Sequence, residues 1–239
     1  MRWLKWIFFA IIIVIVLAVW KPENRNKLPE LPGLNIQQWT SLQAAVDSRL
    51  NRKNYVPLSE ISLSLQQAVI AVEDNRFYQH GGIDFESIFR AVLINMQSGE
   101  LREGGSTITQ QLVKNLFLTQ ERTWGRKMIE APLSLLMEWK YPKEEILEMY
   151  LNSVYFGSGA YGIGEASRTY FAKAPKVLTL AESAMLAGLP NAPSILSPLV
   201  DFQAAKQRQA VVLAALVRYG YIGPQLAEEA KNTPLRLTK

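Results

Sequence analysis

From about Gln37 onward, apolar residues recur at three- and four-residue steps, and no run alternates as a half-buried strand would. That pattern restricts the chain to a mostly α fold built by packing helix on helix. Its 239 residues suffice for one substantial domain with appendages, and a hydrophobic content of 49% supplies the core. There is no cysteine and a single histidine, His80, which excludes a disulfide framework and leaves zinc short of ligands. The formal charge of +5 drops to +2 once Arg2, Lys5 and Lys21 are set aside. The basic excess therefore belongs largely to one flank. No basic stripe interleaved with aromatics points to nucleic acid.

That flank borders a second constraint, the uninterrupted apolar run from Trp6 to Trp20. As a helix, Trp3 to Trp20 spans roughly 27 Å, close to the about 30 Å of a hydrocarbon core. Trp3, Trp6 and Trp20 stand where interfacial aromatics belong. A cleaved signal peptide is the competing reading, but Ala18-Val19-Trp20-Lys21-Pro22 offers no small-residue cleavage site. Residues 1–21 are expected to form a cytoplasmic tip and transmembrane anchor. Residues 22–44, with Pro22, Pro29, Pro32 and Gly33, read as a juxtamembrane linker, and residues 45–239 as the folded domain. Arg2 and Lys5 balance Lys21, Arg25 and Lys27, so charge does not orient the anchor. The domain is expected outside the cell membrane, because a single N-terminal anchor usually exports the mass that follows it.

Within the domain, Leu65, Ala68, Val69 and Val72 form a buried helical stripe, with Ser64 and Gln67 as an expected capping-box start. Glu73 follows about 80° around from Leu65, at the edge of that stripe and near the helix C-terminus. Partial burial and the negative end of the helix dipole should both raise its pKa, which suits a general base or acid. A plain solubilising pair, Glu73 with Asp74, is the alternative. Asp84 is expected to cap the next helix, with Phe85, Ile88, Phe89, Val92, Leu93 and Met96 as a core face and Gly99 past its end. His80, between Gln79 and a glycine pair, reads as a hydrogen-bonded structural group.

Gly104 and Gly105 precede a third amphipathic helix. Gln110, Gln111 and Lys114 fall within about 60° of Thr107 around the helix, opposite Ile108, Leu112, Val113 and Leu116. A wet face of hydroxyl, amide and ammonium groups beside a helix N-terminus can hold an anion; a solvated surface is the alternative. Arg126 and Lys127 stand four and three residues before Glu130, a spacing that an exposed ion pair of about 0.3–0.5 kcal/mol would explain. Pro142 opens a helix over residues 143–152 with Ile146, Leu147, Tyr150 and Leu151 inward. Thr179 and Glu182 form a capping box, and Asp201 caps a long helix through Val217 closed by Gly220.

Taken together, these stretches resemble the peptidoglycan glycosyltransferases, glycosyltransferase family 51. Glu73-Asp74-x-x-Phe77-x-x-His80-x-Gly82 resembles the family's first motif, and Gly105-Ser106-Thr107-Ile108-Thr109-Gln110-Gln111 its second. Arg126-Lys127-x-x-Glu130 is similar to the third and Lys143-x-x-Ile146-Leu147-Glu148-x-Tyr150-Leu151-Asn152 to the fourth. Ala181-Glu182 to Pro193 matches the fifth, so five motifs occur in order. No S-x-x-K or K-T-G for a transpeptidase follows, so the single-domain form of the family is expected.

The resemblance implies a mostly α, lysozyme-like fold of two lobes, one a membrane-facing jaw, behind one N-terminal transmembrane helix. It implies lipid II as substrate, a growing glycan strand as co-substrate and a bilayer as partner. Cell-division or penicillin-binding proteins are candidate further partners. By motif, Glu73 is the general base, with Glu130 as a second catalytic carboxylate that orients Arg126 or holds a divalent cation such as Mg²⁺. No cofactor is obligatory. Asp74, Thr107, Gln111, Lys114, Asn115, Arg126 and Lys127 are the implied substrate-binding residues, with Lys114 and Arg126 placed to neutralise a leaving diphosphate. Phe77 and His80 are implied supports. Leu116-Phe117-Leu118 and Trp124 are candidates for the jaw surface, or ordinary core. The rivals are a lysozyme-like lytic enzyme using Glu73 as acid, and an inactive anchored scaffold.

Overall fold

The computed structural model describes residues 42–50, 52–98, 104–118 and 124–238. The predicted anchor and linker segment up to residue 41 lies outside them. Among the described residues no helix is long and apolar enough to cross a membrane. The described residues are mostly helical and contain no strand, only two isolated bridges, Gly81 with Ile83 and Tyr155 with Tyr161.

Ten α-helices are described: α1 (Leu42–Arg49), α2 (Leu63–Glu73), α3 (Phe85–Ser98), α4 (Ile108–Phe117), α5 (Trp124–Lys140), α6 (Lys143–Ser153), α7 (Ile163–Phe171), α8 (Leu180–Gly188), α9 (Phe202–Arg218) and α10 (Pro224–Asn232). Two packed sets share one core. In the first, α2, α8 and α9 pack mutually, with α10 against α9; in the second, α4 lies between α5 and α6. Helix α8 is buried from Ala181 to Gly188, because Ala184, Met185, Leu186 and Ala187 leave it apolar on every side.

Several local expectations are met. Asp84 accepts from the Glu86 and Ser87 amides, and Thr179 and Glu182 close a reciprocal capping box. Pro142 precedes α6, whose Ile146, Leu147, Tyr150 and Leu151 are fully buried. Asp201 caps α9, and Gly220 follows it with a positive φ. Polar residues of α6 tie the segment between α1 and α2 to it. Asn152 both accepts from and donates to the Val56 backbone, and Glu148 accepts from the Tyr55 hydroxyl and the Leu58 amide.

Other expectations are corrected. The N-cap of α2 is Ser62, which accepts from the Leu65 amide, and not Ser64. The apolar face of α3 is not core. Phe85, Phe89, Val92, Leu93 and Met96 are exposed, Met96 to 76%, and among the described residues no helix packs extensively against α3. Conversely Leu116 and Phe117 are buried, so they belong to the core and not to a jaw surface. Helix α4 does not present Thr107 and Gln110 to water: both are buried in a capping box, and Thr109 is buried beside them. The pattern located each apolar face correctly. It could not tell which faces find a partner.

Candidate active site

Helix α2 ends at Glu73, and the backbone turns sharply at Asp74. The two adjacent side chains therefore diverge. Glu73 Oε2 accepts a 2.8 Å hydrogen bond from the Gln111 amide, and Gln111 Oε1 in turn accepts from the Tyr150 hydroxyl at 3.1 Å. Glu73 Oε1 is buried and has no hydrogen-bond donor, and Arg208 Nη2 lies 4.0 Å from it. Burial pushes the Glu73 carboxyl above the ordinary glutamate range and Asp74 adds to this. The Gln111 bond and the charges of Arg208 and Lys114 pull the other way without cancelling it. One bonded oxygen and one bare oxygen with raised basicity suit a proton acceptor.

Asp74 is the opposite case. Its Oδ2 accepts the Ile108 amide at 3.0 Å, and its Oδ1 meets His80 Nε2 at 2.8 Å. It thus holds the N-terminus of α4, where a carboxylate is favoured by the exposed N–H groups and the helix dipole. Thr107 joins the same corner: its hydroxyl donates to the Gly82 carbonyl at 2.6 Å while accepting from Gln110. Gly82 has a φ of +59°, and a Cβ there would lie 2.9 Å from the Ser134 carbonyl group, so only glycine lets this loop pass α5. Phe77 is fully buried under the Lys143 ammonium, 4.4 Å from the ring centre, and packs edge-on to His80. Phe77, His80, Asp74 and Thr107 thus hold the scaffold together, and Asp74 and Thr107 also wall the cleft.

A cleft of about 440 Å³ opens beside Glu73. Its walls include Glu73, Ser106, Asn191, Arg90, Arg208 and Arg218. Lys114 lies on α4 close enough to Glu73 to act on its charge, and half-buried Asn115 adjoins it; neither walls the cleft. On α5, Lys127 bridges Glu130 Oε1 at 2.5 Å and the Ser106 hydroxyl at 3.1 Å. Glu130 is only 2% exposed, so this is not the surface ion pair that the spacing alone suggested. The side chains of Trp124 and Arg126 lie outside the described residues.

Sequence reasoning missed Arg208. It sits on the buried face of α9, flanked by Ala205, Gln209 and Val212, and its Nε donates to the Gly188 carbonyl at 3.3 Å. An arginine inside an apolar helical stripe was the signal that could have found it. Asp74, His80 and Asp84 are the one group of three metal-ligating side chains with donor atoms within 4.8 Å of one another among the described residues. They fit a cation poorly. Asp84 accepts from Ser87 and faces Arg76, and both Asp74 oxygens are taken. Although burial pushes Asp84 up, the Ser87 bonds and Arg76 hold its carboxyl below the usual range.

A mostly helical domain that holds a buried carboxylate of raised basicity beside a cleft walled by both arginines and aspartates is equipped for general-base chemistry. The transglycosylase family model matches residues 40–217, and the chain belongs to that family, the peptidoglycan glycosyltransferases. A Cupriavidus necator protein named provisionally as a transglycosylase is 45% identical over 84% of this chain and 86% of its own length. Penicillin-binding protein 1A of Aquifex aeolicus is 40% identical over 97% of this chain. The chain spans about a third of that relative, 32% of its length. A solved structure, penicillin-binding protein 1A from Haemophilus influenzae, is 29% identical over 55% of this chain and 16% of that one. Its TM-score is 0.38, too low to bear on the fold.

Proposed function

We propose that this chain polymerises lipid II into linear glycan strands by inverting glycosyl transfer, with Glu73 as the general base, in a lysozyme-like two-lobed fold. The observation that carries this reading is the bare, buried Oε1 of Glu73 beside a cleft whose walls carry Arg90, Arg208 and Arg218 as well as Asp74 and Asp84. Glu73 takes the proton of the acceptor sugar hydroxyl. That oxygen attacks C1 of the donor sugar from the face opposite the diphosphate. The C1–O bond to the polyprenyl diphosphate breaks, and the diphosphate leaves with both bonding electrons.

A diphosphate is a good leaving group, so neutralising its charge matters more than protonating it. Lys114 and Arg126 serve that purpose, with Gln111, Asn115 and Lys127 as further substrate contacts from beyond the cleft's own walls. Glu130 is a positioning carboxylate that fixes Lys127. The polymerisation needs no obligatory cofactor, and adding Mg²⁺ or a chelator tests this.

The reaction takes place at a membrane, on the outer face of the cell membrane, with residues 1–21 as the anchor. The substrate's polyprenyl tail requires this. The outward apolar face of α3 meets the bilayer, since the same chain carries the apolar run Trp6 to Trp20.

Incubating the purified full-length chain with lipid II should yield polymer, and finished glycan should survive intact. Fragments from finished glycan, with no polymer from lipid II, would overturn the proposal in favour of a lytic enzyme.

A further inference from the structure

Tyr150 lies on α6, fully buried, and the only acceptor for its hydroxyl proton among the described residues is Gln111 Oε1. An amide side chain can be turned either way, and its neighbours decide which end faces which. With Glu73 charged, an amide oxygen 2.8 Å from Oε2 would set two acceptors against each other, so the amide NH₂ must face the carboxylate. Its oxygen then faces Tyr150, and the phenol donates. Turning the amide over would require a protonated Glu73 and would strand the Tyr150 proton in the core, where an unpaired donor is costly. Burial and the nearby Glu73 and Asp74 charges push the Tyr150 phenol far above its usual range, so it stays a donor at every working pH.

We propose that Tyr150 is a positioning residue for glycosyl transfer: its hydroxyl fixes the direction of the Gln111 amide, which holds Glu73 as a carboxylate with Oε1 bare toward the cleft. The relay runs across the core from α6 through α4 to the end of α2, and joins the fourth motif to the first. It gives an apparently structural residue a part in setting the protonation state of the base. Removing the hydroxyl costs nothing in volume but releases the amide to turn, which favours protonated Glu73.

This inference rests on Glu73 being the base, and the test separates the two. The kcat and KM for lipid II are measured across pH for the full chain, Tyr150→Phe, Gln111→Leu, the double variant and Glu73→Gln. Tyr150→Phe should lower kcat about tenfold at neutral pH, recover toward the wild-type rate at higher pH, and leave KM unchanged. In the Gln111→Leu background it should have no further effect. Near-normal turnover by Glu73→Gln would remove the base itself and the relay with it. An inactive Glu73→Gln with an unmoved acid limb in Tyr150→Phe would overturn the relay alone. If Tyr150→Phe fails to fold, a fluorotyrosine at position 150, a stronger donor, should move the acid limb to lower pH. No movement would refute the proposal.

Discussion

The two sides of the α2 C-terminus hold adjacent carboxylates in opposite ways. On one side Asp74 has both oxygens bonded, to the Ile108 amide and to His80, in a corner braced by Thr107 and Phe77. On the other, Glu73 has one oxygen bonded to Gln111 and one buried without a donor. A fully bonded carboxylate contributes stability and has nothing left to offer a substrate. A half-bonded one costs stability and keeps a basic lone pair directed at the cleft. The contrast teaches that one residue's difference along a motif separates scaffold from chemistry.

The contrast can be broken or sharpened by substitution. The largest effect is expected from Glu73→Gln, which should cut polymerisation by about 10²–10⁴-fold in a lipid II assay. The same change should raise the Tm at neutral pH. A carboxyl whose folded pKa is raised stabilises the fold below its unfolded pKa and loses that contribution as pH climbs through the folded value, so the neutral amide is preferred above it. Asp74→Ala should behave in reverse. It strands the Ile108 amide and His80, each costing about 1–3 kcal/mol, and thermal unfolding should register the loss.

Arg208→Leu should then reduce turnover roughly tenfold at neutral pH and move the acid limb to higher pH, since it removes a cation that favours the charged base. The smallest effect is expected from Gly188→Ala. A Cβ there would stand 2.7 Å from Arg208 Cγ, so the arginine must shift. Stability should fall by about 1 kcal/mol and turnover only a few-fold. Full activity with unchanged stability would show that the arginine stem tolerates displacement.

Much of this was legible in the sequence, for reasons that differ between elements. Caps at Asp84, Thr179 and Asp201 were readable because capping is local chemistry. The buried stripe of α2 and the position of Glu73 at its edge followed from helical geometry alone. The fate of α3 was not readable, since Phe85, Phe89 and Met96 have the periodicity of a core face and only tertiary packing leaves them outside. Thr107 and Gln110 misled for the converse reason: polar side chains that cap a helix can be buried as deeply as leucine. Arg208 and Tyr150 lie 135 and 77 residues after Glu73 in the chain. Their approach to it depends on how α9 and α6 dock, which no local pattern encodes.

The most direct measurement is the pH dependence of kcat/KM for lipid II polymerisation by the wild-type chain, which reports the free enzyme's base. Activity should rise with pH through an acid limb lying above the ordinary glutamate value of about 4.3. The residual activity of Glu73→Gln should lack that limb. A limb at or below the ordinary value, or the same limb retained in Glu73→Gln, would contradict Glu73 as the base.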